Sequence, residues 1–352
     1  MAKIKEFIVF WLNKCFNSLF FLIGFALLLV GLYFYFGLGS SARDALIEQM
    51  LHREQANART GASAIGTFFD LVGKSVARIS SRDEVISPGN ETDEFFSFFV
   101  KQWENTPVTS IILLDEAGTV TKAAYTEIAG GVGASLKDRG YFIWAKTAEK
   151  GEYYISETIK SRLRGENYFV VVVASPIKDE NGNFKGALLV GISVTRLTEQ
   201  YLTHLKISDA TEIYLVRTDG TLLYTPFKEL LGENMFDYIK AHPFLGSEVL
   251  LGEIRKRMED VREGKALFAY PEKAGAAFPL KSRMLAYSPV PVTGQDWILV
   301  IATPVEDALI SMGPIYLRFL IGLLIVFLIL LAMGIRLAKI LAYREMAKKA
   351  KE

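Results

Sequence analysis

The chain has 352 residues, 51% of them hydrophobic, and 40 basic residues against 39 acidic ones give a formal charge of +1. That length suits more than one core, and the only cysteine, Cys15, rules out an internal disulfide. No basic, aromatic-interleaved segment of the kind that nucleic-acid binding needs is present.

Residues 1–14 form a short basic leader, with Lys3, Lys5 and Lys14 set against Glu6. No charge falls between Cys15 and Ala42, and Phe16 to Phe36 is long enough to cross about 30 Å of hydrocarbon as a helix. A first transmembrane helix is expected over 15–37. The apolar run exceeds the h-region of a secretory signal, and no small-residue cleavage site follows promptly, so an anchor is favoured over a cleaved leader. Tyr33, Phe34, Tyr35 and Phe36 suit an interfacial aromatic belt. Cys15, at the mouth of the span, reads as a small apolar residue of a membrane helix.

Residues 38–82 read as a long stalk helix. Leu46, Met50, Ala56, Ala58, Ala62, Ile65, Phe69, Val72, Val76 and Ile79 recur at three- and four-residue steps with charges between them. One face would pack on the module that follows and the other on a second copy of the chain, so a homodimer is expected. Gly61, Gly66 and Gly73 argue against one straight rod. Ser87-Pro88-Gly89-Asn90 ends the segment as a turn.

A first α+β module is expected over 83–200. Glu94 to Glu104, rich in phenylalanine, reads as a buried helix. A hairpin follows, Ser110 to Leu114 and Thr119 to Thr121 around Glu116-Ala117-Gly118. Asp138-Arg139-Gly140 then leads into the aromatic segment Tyr141 to Trp144, a loop and short helix laid over an antiparallel sheet. Phe169 to Ala174 is apolar and β-branched, as an inner strand should be. Turn signals stand at Arg164-Gly165 and Asn181-Gly182, and Asn-Gly supplies the two positive φ angles of a type I′ hairpin.

An internal repeat marks a second module over 201–307. TSIILLDEAGTVTKAA from Thr109 is echoed by TEIYLVRTDGTLLYTP from Thr211, and VGASLKD from Val132 by LGENMFD from Leu231. VVVASPIKDENGNFKGALLVGIS from Val171 is echoed by MLAYSPVPVTGQDWILVIATP from Met284. Each copy has a hairpin, a helical cover and a closing hairpin with Ser-Pro in its first strand. The shared order implies two related modules, each an antiparallel sheet with helices to one side. The second has the shorter, less polar cover, and Trp297 sits where a closing strand should fill its core.

A second transmembrane helix is expected over 308–335, where Phe319 to Ile335 is uncharged, and a basic tail over 336–352. The leader carries +2 and the tail +4, which leaves −5 for the middle of a chain whose total is +1. Both basic ends should be cytoplasmic, with residues 38–310 across the membrane from them.

No enzyme is expected in these residues. His52, His204 and His242 fall in separate elements without HxxxH or HExxH spacing, so neither a metal nor another cofactor is expected. There is no GxSxG, no P-loop and no paired carboxylates. A binding site is expected instead, centred on Arg139 and Tyr141. A guanidinium held in a loop beside aromatics suits a small carboxylate. Tyr141 can donate a further hydrogen bond, and Trp144 can wall the pocket. Tyr154, Ser156 and Thr158 alternate along one strand and so share a face. The competing reading pairs Arg139 with Asp138, or makes it a helix cap, and puts Phe142 and Trp144 in the core.

DRGYF, YISETIKSRLRGE and VVVVASPIKDENGNFKGALLVGIS, in that order between two apolar spans, resemble the membrane-distal module of a double Cache domain. These are the tandem PAS-like sensors of bacterial chemoreceptors, sensor histidine kinases and diguanylate cyclases, and the resemblance covers residues 40–305. It implies an inner-membrane sensor whose distal module, 83–200, and proximal module, 201–307, lie in the periplasm between two membrane helices. A signal would pass through the second helix to a kinase, cyclase or chemotaxis partner, on a removed domain or a separate chain, because the tail is too short for any of these. Double Cache domains that take amino acids pair an Arg-x-aromatic loop with acidic residues that hold the ammonium. Arg139-Gly140-Tyr141 keeps the loop, but the expected acids fall at Ser156 and near Gly191. A buried ammonium would be unpaired there, so the resemblance implies a small organic anion, or else an uncharged polar ligand. A ligand-free scaffold, a polysaccharide chain-length regulator and a membrane-anchored hydrolase are the alternatives. The hairpin repeat counts against the second and the missing motifs against the third.

Overall fold

The computed structural model describes residues 2–126, 130–163, 169–241, 252, 255–256, 260, 263–271, 280–310 and 313–349. The Arg164-Gly165 turn signal and His242 lie outside the described residues. The chain forms two compact units, one of residues 50–307 and one of residues 1–49 with 308–352.

Helix α1 (Ala2–Ile79) is a single element, so no break separates the expected first span from the stalk. Within the 50–307 unit, Leu51, Ala58, Ala62, Ile65, Phe69, Val72 and Val76 are buried. Steps of three, four and seven residues place them on one face of a 3.6-residue helix. Ala56 is exposed, contrary to its place in the sequence pattern. The three glycines do not interrupt α1. A Cβ on Gly61 would collide with Leu202, Leu205 and Leu299, one on Gly66 with Pro291, and one on Gly73 with the Tyr153 ring. Close approach of neighbouring elements explains them, and tertiary packing outweighs their poor helix propensity.

Short α2 (Asp83–Ile86) and α3 (Asn90–Gln102) lead into the first sheet. Its strands are β1 (Val108–Leu114), β2 (Val120–Tyr125), β3 (Tyr154–Ile155), β4 (Ile159–Lys160), β5 (Phe169–Lys178) and β6 (Phe184–Ser193), with α4 (Gly140–Thr147) between β2 and β3. The order is β2-β1-β6-β5-β3, all antiparallel, with β4 also on β5. Val171, Val173, Leu188 and Val190 share a core with α1 and α3. Their neighbours Val170, Val172, Ala187 and Leu189 pack with Tyr141, Phe142 and Ala145 of α4. Helices therefore cover both faces of this sheet rather than one side. The unbroken apolar run of β5 requires it, because a strand with apolar residues on both faces needs cover on both.

After α5 (Val194–Tyr201) the second sheet repeats the plan. Strands β7 (Glu212–Arg217), β8 (Leu222–Tyr224), β9 (Gly264–Pro271), β10 (Leu280–Pro289) and β11 (Trp297–Pro304) take the order β8-β7-β11-β10-β9, with α6 (Met235–Ala241) after β8. In both sheets the first strand of the opening hairpin pairs with the last strand of the closing one, β1 with β6 and β7 with β11. Trp297 fills the inner face as expected, 1% exposed and edge-on to Phe69 at 5.3 Å.

The hairpins close with a turn wider than type I′. Gly118 donates to the Asp115 carbonyl at 3.0 Å, Gly182 to Asp179 at 3.1 Å and Gly220 to Arg217 at 2.9 Å. Each glycine takes a positive φ in a five-residue loop, 81°, 80° and 94°. At Asn181-Gly182 the reason is Asp179, whose carboxylate accepts from the backbone N–H of Asn181 and Asn183 and so holds the longer turn.

The short helix α7 (Val305–Leu309) runs across the boundary at residue 307, and in the other unit α8 (Gly313–Lys349) carries one segment, Leu317–Arg336, long and apolar enough to cross a membrane. Only 6% of that segment is buried. Leu323 of this helix lies against Gly31 of α1, where a Cβ would have no room. Most side chains of Phe16 to Phe36 lie outside the described residues.

Gly66→Val should overpack the contact with Pro291 and lower stability by about 1–3 kcal/mol. Thermal melts of the full chain in nanodiscs would check it against the exposed substitution Ala56→Val.

Candidate functional site

The α4 face of the first sheet carries an open cavity with an empty volume of about 490 Å³ that includes its mouth. Its floor is the sheet, with Ile112, Val172 and Leu189, and Tyr141 rises from α4 beside it. Arg139, Lys160 and Arg162 are three basic residues of the lining, and no described lining residue is acidic. Thr109, Ser110, Ser161 and Tyr125 add hydroxyls.

Arg139 stands at the N-cap of α4 with extended backbone, but its side chain caps nothing. One terminal nitrogen, Nη2, donates to the Lys160 carbonyl at 3.2 Å, while Nε is buried without a partner among the described residues. Pairing with Asp138, the competing reading, does not occur. That carboxylate takes both terminal nitrogens of Arg162, at 2.7 and 2.6 Å. Arg162 thereby holds the Asp138 carboxyl down at about 2, from its ordinary 3.8. Burial pushes the Tyr141 phenol up to about 12, so at neutral pH it stays a hydrogen-bond donor. The Tyr141 hydroxyl makes no hydrogen bond among the described residues. Gly191 lies on the floor, where a Cβ would stand 2.5 Å from Ser110 Oγ, so that hydroxyl fills the place of a side chain.

Arg139, Tyr141 and Gly191 therefore meet at one cavity, and the other four expected residues do not line it. Trp144 packs on Tyr154, ring centres 5.4 Å apart, beside the α4 core. Ser156 and Thr158 do not continue a strand, because β3 ends at Ile155. The Ser156 hydroxyl accepts from Val172 N–H at 2.9 Å and donates to the Glu157 carbonyl at 2.6 Å. That exchange breaks the alternation on which a shared face depended. The Thr158 hydroxyl is buried without a partner. Lys160 and Arg162 were missed in the sequence, although SETIKSRLR carries a cation at every second position across the β4 segment.

The segment that lines the cavity is also tied to the second sheet. Glu157 meets Arg217 of β7 at 3.0 Å, and the Gln295 side chain donates to the Ile155 carbonyl at 2.7 Å. Arg217 also meets Asp219 at 3.0 Å, which fixes its direction.

Residues 39–312 match the family model described as Cache domain, double form. Among solved structures, the ligand-binding domain of the Pseudomonas fluorescens chemoreceptor CtaA in complex with L-isoleucine shares 15% identity at a TM-score of 0.53, over 77% of this chain and 98% of that one. The ligand-binding domain of the Pseudomonas aeruginosa chemoreceptor PctB in complex with L-Arg shares 17% identity at a TM-score of 0.52, over 75% and 97%. The extracellular ligand binding receptor from Desulfohalobium retbaense matches at a TM-score of 0.47 and 16% identity over 73% of this chain, which spans 39% of that receptor's length. At these identities the likeness is one of fold. Comparison with curated protein sequences finds no match.

Because Asp138 is held below its ordinary value, its pairing with Arg162 stabilises the fold above the unfolded-state pKa and stops doing so as pH falls toward about 2. The melting temperatures of the wild type and Asp138→Asn should differ by a constant amount above about pH 4 and converge by about pH 2.

Proposed function

The chain belongs to the double Cache family, and from that premise we propose that it is a membrane sensor whose first sheet binds a small organic anion. The observation that supports this is the buried Nε of Arg139, without a partner among the described residues, at a cavity with two further basic residues and no acidic residue in its described lining. A buried guanidinium nitrogen lacking a partner is costly, and a ligand carboxylate removes that cost with charge-assisted hydrogen bonds. The related domains of CtaA and PctB were solved with L-isoleucine and L-Arg. An amino acid here would meet Arg139 with its carboxylate, but its ammonium would find no acidic residue in the described lining, where the one nearby carboxylate, Asp138, is already paired with Arg162. That lack favours an anion without an ammonium group.

In this reading membrane helices over 15–37 and 308–335 flank a stalk, 38–82, a distal module, 83–200, and a proximal module, 201–307. The basic ends place both termini in the cytoplasm. The chain acts as a homodimer through the outer face of α1 and signals to a cytoplasmic kinase, cyclase or chemotaxis partner. The ligand acts on the proximal sheet through the 154–163 segment, whose ties to Arg217 and Gln295 supply the differential contacts that a population shift requires.

The test is a thermal-shift screen of the full chain in nanodiscs against small carboxylates, amino acids, amines and sugars. A carboxylate at a hundred times its dissociation constant should add about 2.7 kcal/mol of stability. Arg139→Ala should abolish that shift and Tyr141→Phe should weaken affinity about tenfold. Tight amino-acid binding without carboxylate binding would sink the anion reading, and no hit in any class would favour the ligand-free scaffold. With a carboxylate bound, amide hydrogen exchange over 212–224 should slow in the wild type and stay unchanged in Arg217→Gln. Equal slowing in both would remove Arg217 from the route.

A further inference from the structure

Glu54 lies on the buried face of α1, three residues after Leu51 and one turn before Ala58, and it is wholly excluded from solvent. Among the described residues no other Asp, Glu, Lys or Arg is buried. Among the described residues neither carboxyl oxygen meets a partner at hydrogen-bond geometry, and the Thr303 hydroxyl is the one polar group that acts on the carboxyl. Around it α1 is seated on the second sheet. The Asn57 side chain donates to the Leu205 carbonyl at 2.9 Å, and Gly61 admits Leu202, Leu205 and Leu299. Thr303 stands at the end of β11. Its hydroxyl is already engaged with that of Thr211 at 2.8 Å, and Thr211 Oγ1 also accepts from Ser208 N–H at 3.1 Å.

Charged groups on the surrounding elements give Glu54 no partner. On α1 itself Glu48, His52, Arg53 and Arg59 are exposed, Arg59 pairs with Glu263, and His52 meets Lys265 of β9 at 2.8 Å. His204, Lys206 and Asp209, between α5 and β7, are exposed. On β7, Glu212 pairs with Arg283, and Arg217 with Glu157 and Asp219. Strand β11 carries no charge, Glu306 beyond it is exposed and Asp307 half-buried. Burial dominates, raising the carboxyl from 4.5 to about 8, with the Thr303 hydroxyl pulling more weakly the other way. No charge contributes.

We propose that Glu54 is a proton-binding site through which the 50–307 unit reads the pH of its medium. With the proton on, α1 seats against β11 through an uncharged side chain. With the proton off, an unpartnered carboxylate cannot stay in that core, so this stretch of α1 must draw away or admit water. The site lies on the opposite sheet from the Arg139 cavity and does not depend on what that cavity binds.

The sign follows from linkage. Glu54 keeps its proton in the folded state over a pH range in which the unfolded chain has lost it. Its contribution to stability is fully present below about 4.5 and lost as pH rises through about 8.

The test is hydrogen exchange by mass spectrometry on the full chain in nanodiscs, from about pH 6 to about pH 10, corrected for intrinsic base catalysis. Protection of peptides covering 50–60 and 297–304 should fall about tenfold with a midpoint near 8, while peptides of the first sheet stay unchanged. Glu54→Gln, which keeps shape and loses the ionisation, should stay protected throughout. Thr303→Val removes the hydroxyl that favours the charged form and should move the midpoint upward, which keeps the test decisive if Glu54→Gln fails to fold. A wild type without a midpoint, a Gln variant that retains it, or an unmoved midpoint in Thr303→Val would each overturn the assignment.

Discussion

Two sheets share one stripe of one helix, and the rest of the 50–307 unit follows from that constraint. Ala58, Ala62, Ile65, Phe69, Val72 and Val76 form a single core with Val173 and Val190 of the first sheet and Leu215, Leu299 and Ile301 of the second. A helix that serves two sheets is held at both ends of its stripe, because interiors packed to native density leave little slack. Small residues mark where the approach is closest. Gly61 faces the second sheet, Gly66 the loop that carries Pro291, and Gly73 the Tyr153 ring at the edge of the first.

The strand period of two then separates binding from packing. On β5, Val171 and Val173 belong to the shared core, while Val170 and Val172 face α4 and the cavity. The first sheet is thus a partition one residue thick, with the cavity on one side and α1 on the other. A ligand need not touch the helix to be felt by it. Two connections bypass the partition altogether, Glu157 to Arg217 and Gln295 to the Ile155 carbonyl. Both leave from the 154–163 segment, the part of the lining with the least regular hydrogen bonding. Such segments open at low free-energy cost and so suit a site that must change state.

The order of elements was legible in the sequence because its signals are local. The α1 stripe obeys the helical period, the apolar run of β5 implies an inner strand, and the repeat from Thr109 and Thr211 reappears as matching places in two sheets. Arg139, Tyr141 and Gly191 meet because strand order and α4 bring them together. Trp144, Tyr154, Ser156 and Thr158 fall outside the described lining, and for the last two the reason is local. Ser156 substitutes its hydroxyl for a backbone partner of Val172, and the alternation assumed for the strand stops there. Arg162 was hidden because its place at the cavity depends on Asp138, 24 residues earlier. Glu54 stands at a core position of α1, but the sequence pattern followed the apolar residues and noted the charges only as lying between them.

Arg139 and Glu54 show how the same deficiency has opposite consequences. Each presents buried polar atoms that no described side chain or backbone group satisfies. Arginine cannot lose its proton at any ordinary pH, so the Arg139 deficit can be met only from outside, by an acceptor entering the cavity. A carboxylic acid can keep its proton, so the Glu54 deficit is met from within, by staying neutral. The first group lies at a cavity with basic residues in its lining, the second at a helix–sheet contact where no described cation is buried. Their surroundings suit the two proposals, an anion at one and a proton at the other, on separate sheets joined through the shared stripe of α1 and the Glu157–Arg217 and Gln295 ties. Those are the connections along which the two can couple.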